Sequence, residues 1–115
     1  MKTKDLKPVA TNPDANGFPG PWPPAGPPDP EEVSVCKAFL GRCERTKIPR
    51  VGSYGLKHII ERWAGKYVSN GACIQAALDL GLVVRPYGPG NPNARLGVSR
   101  RSVLGVATEG PRHAA

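Results

Sequence analysis

Between Ala72 and Leu80 only Gln75 and Asp79 are polar, and they stand four residues apart. A helix here is apolar almost all round with one narrow polar strip, the pattern of a helix buried on most of its surface. Ser69 or Asn70 can cap its start, and Gly81 sits where a left-handed residue closes a last turn. The stripe Leu56, Ile59, Ile60, Trp63 and Ala64 recurs at helical period and predicts a second helix from Ser53 or Tyr54 to Ala64. Asp29, Pro30 and Glu32 form a helix start, followed by Val33, Cys36, Phe39, Leu40 and Cys43 at spacings of three and four, which predicts a first helix over 30–44. Ile60 and Leu78 are assigned to the core.

Alternation replaces this period after Gly81. Leu82 to Tyr87 and Ala94 to Ser99 read as two strands joined by Gly88-Pro89-Gly90-Asn91-Pro92-Asn93, a hairpin. Residues 45–52 read as a surface loop, Ser99 to Leu104 as one capped turn or a short strand extension, and residues 105–115 as a frayed end. Residues 1–28 carry eight prolines with glycines among them, and such a segment neither pairs as a strand nor coils as a helix. The expected organisation is a disordered Pro/Gly-rich tail (1–28), a basic domain (29–104) and a C-terminal tail (105–115). Its class is mainly α with a β-hairpin, an α+β domain.

Charge changes this picture because it is unevenly placed. The chain of 115 residues has a formal charge of +7. Residues 1–32 hold three lysines against five acids, whereas residues 33–115 hold thirteen Lys and Arg against four acids. A folded part this basic favours polyanions, nucleic acid first among them. Three cysteines are an odd number, and no charged-then-apolar leader follows Met1, so a reduced, cytoplasmic protein is expected. Neither paired carboxylates nor a phosphate-cradling glycine loop is present, so the chain is not expected to be an enzyme, nor to need a cofactor or a metal. No apolar run is long enough to cross a bilayer.

Ordering the parts as helix, helix, short turn, helix and hairpin resembles a winged helix-turn-helix. Ser53-Tyr54-Gly55-Leu56-Lys57-His58, Tyr67-Val68-Ser69-Asn70-Gly71 and Asn93-Ala94-Arg95-Leu96-Gly97-Val98-Ser99 are also similar to segments of small proteins carried by bacteria and mobile elements. The winged-helix resemblance covers about residues 31–104 and implies DNA or RNA as partner, with the third helix reading bases and the wing holding phosphates. On that helix Asn70 and Gln75 are the side chains able to pair with adenine. Lys47, Arg50, Lys57, Arg62, Lys66, Arg85, Arg95, Arg100 and Arg101 are the candidate phosphate contacts, with Arg85 and Arg95 expected to share the outer face of the hairpin. The third helix lacks Arg and Lys, which points to backbone-led binding. The alternative is a protein-binding factor, such as a phage or plasmid inhibitor or an adaptor on a nucleic-acid machine. It would grip its partner through Phe18 and Trp22 of the proline-rich tail.

Overall fold

Helix α1 (Pro30–Leu40) starts where Asp29 accepts a hydrogen bond from the Glu31 amide at 2.8 Å and Pro30 fills the first position. The computed structural model describes residues 12–110 and forms a small α+β domain of four helices and a three-stranded antiparallel sheet. After α1 come β1 (Val51–Gly52), α2 (Ser53–Ala64), α3 (Asn70–Asp79), β2 (Val84–Pro86), β3 (Ala94–Leu96) and α4 (Arg100–Glu109).

The core lies between α1, α2, α3 and the inner face of the sheet. Phe39, Leu40, Leu56, Ile60, Ile74 and Leu96 are at most 1% exposed, and burying each such side chain stabilises the fold by roughly 1.5–3 kcal/mol. Phe39 meets Trp63 edge to face at 5.2 Å, which fixes α1 against α2. Ser69 caps α3 by accepting from the Ala72 amide, and α3 ends at Leu80 before the left-handed Gly81. The helix is buried on most of its surface, as its composition predicts. Leu78 is the correction: it is 37% exposed, on the one strip that α1 and the sheet leave open.

Four boundaries differ from the sequence expectation. Helix α1 stops at Leu40 with Gly41 as its C-cap, short of the expected end at 44. The link over 45–52 is laced to the end of β3: Thr46 donates to the Gly97 carbonyl and Arg50 to the Leu96 carbonyl. Val51 and Gly52 pair with Leu96 and Arg95, so β3 becomes the central strand in the order β1-β3-β2. Residues 100–109 form a full helix rather than a turn and a frayed end. Ser99 caps it, Val103 and Val106 face the core three residues apart, and Arg42 pairs with Glu109 in the last turn. Finally, residues 12–28 are docked on the domain. Asp14 and Gly17 exchange backbone hydrogen bonds in a tight turn, the Gly71 amide donates to Ala15, and Phe18 donates to the Pro92 carbonyl. A Cβ on Gly71 would stand 1.7 Å from the Asp14 carbonyl oxygen, so only glycine permits this approach. The rest of the expected tail, residues 1–11, lies outside the described residues, as do residues 111–115.

Candidate nucleic-acid interface

The register of the sheet decides which side chains gather on its outer face. Val51, Leu96 and Val84 align across the three strands and face the core, so the next row of Gly52, Arg95 and Arg85 faces outward. Arg85 and Arg95 are direct cross-strand partners, and both are exposed. Tyr87, two residues beyond Arg85, lies under the Arg95 guanidinium at 4.9 Å. Its hydroxyl reaches toward β1, 2.9 Å from the place a Cβ on Gly52 would take. Arg50 immediately precedes β1, on the far side of β3 from Arg85, and Arg100 Nη2 donates to the Arg50 carbonyl at 3.3 Å. Among the described residues no carboxylate forms an ion pair with Arg50, Arg85, Arg95 or Arg100. Like charges placed directly opposite in a sheet are destabilising, so Arg85 and Arg95 repel one another across the ladder.

The other expected contacts fall elsewhere. Lys47, in the link before β1, and Arg101, on the first turn of α4, are exposed. Arg62 is exposed near the far end of α2, about 13 Å along the helix from Ser53. Lys66 lines a hollow with Asp29, Glu31 and Glu32, where acids offset its charge. Lys57 is 7% exposed and paired with Glu61, and therefore contacts no phosphate. The proposed base readers of α3 are committed as well. Asn70 is 7% exposed and donates to the Asn16 carbonyl and to Asn93 Oδ1, and Gln75 donates to Asp79 at 2.8 Å. With α1 on one side and the 14–18 turn over its first residues, α3 leaves open only the strip of Gln75, Leu78 and Asp79, which carries no cation.

The tail aromatics are half-buried in this chain rather than free. Phe18 packs against the core, and the Trp22 ring lies over the backbone of Gly20. Sequence reasoning also missed Arg45, whose guanidinium donates to the Leu80 carbonyl at 2.6 Å and closes the end of α3.

A cleft of about 370 Å³ opens beside the arginine face, lined by Tyr54, Lys57, Tyr67, Asn70 and Asn93 with the turn at Ala15 and Asn16. The three sequence stretches singled out above meet here. Lys57 Nζ donates to Glu61 Oε2 at 3.0 Å and to the Val68 carbonyl at 3.3 Å, and lies 4.5 Å from the Tyr67 ring centre and 5.7 Å from that of Tyr54. Glu61 is shared: His58 Nδ1 lies 2.9 Å from Oε1, and the Val68 amide donates to Oε2, the oxygen that Lys57 also holds. Burial acts to raise the Glu61 carboxyl, but hydrogen bonds from Lys57, His58 and Val68 outweigh it and hold the group below the usual carboxylate range. Asn70 Oδ1 is buried and accepts no hydrogen bond among the described residues. Tyr54 and Tyr67 are 54% and 63% exposed, so they stand at the mouth. No apolar periodicity marks them, because they belong to no core stripe. No described helix is long and apolar enough to cross a membrane. No family model matches the chain, and neither a curated protein nor a solved structure matches it.

Proposed function

We propose that the protein binds nucleic acid through the phosphate backbone, using the outer face of its sheet rather than a recognition helix. The observation that carries this reading is the direct opposition of Arg85 and Arg95, flanked by Arg50 and Arg100 with no pairing carboxylate among the described residues. Four guanidinium groups, carried across the sheet and at the start of α4, can each take a phosphate, and the ligand supplies the negative charge that the sheet itself lacks. The element order and the sheet order β1-β3-β2 support a winged-helix arrangement in which the hairpin is the wing. The third helix departs from that pattern because its polar residues hold the fold together.

Backbone contacts carry little sequence information, so affinity should vary weakly with sequence and strongly with salt. If the four arginines neutralise four phosphates, the slope of log affinity against log salt for duplex DNA is about −3.6. Replacing Arg85 and Arg95 together by Glu should weaken binding to every sequence and flatten that slope by about 2. Unchanged affinity in this variant, or no binding to DNA or RNA at low salt by the wild type, would overturn the reading.

A further inference from the structure

We propose that the cleft between Tyr54 and Tyr67 seats one unstacked base of a single strand whose phosphates lie on the neighbouring arginine face; this rests on the backbone-binding reading above. The cleft's charge argues first. The Lys57 ammonium is neutralised by Glu61 at 3.0 Å, so the site has no net attraction for a phosphate. What remains suits a flat, neutral, polar group. Two exposed phenol rings form the mouth, and such rings stack on any base because every base has a π-face.

The interior supplies hydrogen-bonding groups of both kinds. Of the three Lys57 protons, one goes to Glu61 and one to the Val68 carbonyl, and the third has no acceptor among the described residues. Asn70 is nine-tenths buried, and its Oδ1 lacks a donor, a costly state for a buried acceptor. A nucleobase edge carries donors and acceptors side by side, and so can give the Asn70 oxygen a donor when that side chain turns toward the cleft. A purely apolar ligand would leave it unmet.

Position completes the case. Asn93, which lines the cleft, lies two residues before Arg95, or about 7 Å along an extended chain. Tyr87 ties the two regions together, because its amide donates to the Asn93 carbonyl while its ring supports Arg95. A nucleotide with its phosphate on Arg95 therefore has its base beside the cleft.

The test uses the full chain and a single-stranded oligothymidylate carrying one 2-aminopurine, whose fluorescence falls or recovers as its stacking changes. Wild type should change the emission on binding. Tyr54→Ala and Tyr67→Ala should each abolish that change and weaken single-strand binding by about ten-fold. Tyr54→Phe and Tyr67→Phe keep the ring and should behave as wild type. Both tyrosines are more than half exposed, so truncation does not open the core, and circular dichroism checks this. The slope against salt should stay that of wild type, since a base contact releases no counterions. Alanine variants that bind single strands as tightly as wild type, with the emission change intact, would overturn the inference while leaving the arginine face standing. Wild type that binds duplex but never alters the 2-aminopurine signal would do the same. Wild type that binds neither strand form would remove the arginine reading and this one with it.

Discussion

Lys57 and Glu61 form an ion pair one helical turn apart on α2, with 8% and 19% of their side chains exposed. A pair this enclosed is held by mutual need: removing one partner leaves the other charge with poor solvation. Glu61→Gln should therefore destabilise the fold by about 3 kcal/mol in urea titrations. The double variant Lys57→Met, Glu61→Gln should recover part of that loss, because no charge remains to be solvated.

The same carboxylate sets the acid limit of the fold. Glu61 titrates below its ordinary value, and so does Asp79, lowered by hydrogen bonds from Gln75 and Lys37. Groups with depressed folded values contribute stability above their unfolded values and lose it as pH falls through the folded ones. The urea midpoint should hold steady between about pH 7 and 5 and decline below about pH 4. For Asp79 the effect is small, since both it and Lys37 are partly solvated. A midpoint that rises on acidification would contradict this assignment.

Burial governs the thiols with the opposite sign. Cys73 is raised well above its ordinary value by its hydrogen bond with Cys36 and by burial, and burial pushes Cys43 up to about 11. Neutral thiols are then preferred in the folded chain, so stability is full below the unfolded value near 8.5 and falls as pH rises above it. Iodoacetamide at pH 8 should modify the cysteines at the rate of global unfolding. Rapid alkylation without denaturant would refute this.

Helix α4 offers a packing test. Val103→Ala and Val106→Ala should each cost about 1.5 kcal/mol, two methylene equivalents of buried surface. Leu104→Ala, at a position 62% exposed, should lie within about 0.5 kcal/mol of wild type.

Gly71→Ala separates the docked segment from the domain. Alanine favours the helix by about 1 kcal/mol, but its methyl group collides with the Asp14 carbonyl. The Gly71-to-Ala15 and Phe18-to-Pro92 hydrogen bonds should open together, read as lost hydrogen-exchange protection at the Phe18 amide while that of Ile60 persists.

Legibility in the sequence followed the range of the interactions. Helices α1 and α3 announce themselves through caps and apolar patterning and α2 through its apolar stripe, all local signals, and Arg85 and Arg95 fall on one face by alternation alone. Strand β1 is two residues long and exists only because β3, some forty residues later, offers it Leu96 and Arg95. Helix α4 has a stripe of two valines around Gly105, too short to outweigh the glycine. The 12–28 segment reads as unstructured because its anchors are backbone carbonyls meeting amides at Gly71 and Phe18, which composition does not encode. For the cleft the difficulty is greater, since its walls come from α2, the turn before α3, the hairpin and the docked segment.

The Phe18 amide donates to the Pro92 carbonyl at 2.9 Å, and Asn70 Nδ2 donates to Asn93 Oδ1 at 3.0 Å, so the hairpin is moored at its tip end as well as along its ladder. A hairpin fastened at both ends is preorganised. On the proposed reading, the backbone that carries Arg85 and Arg95 would not have to be ordered when a polyanion arrives. Association should then be limited by diffusion and electrostatic guidance rather than by folding of the wing, with rates that fall steeply as salt is added.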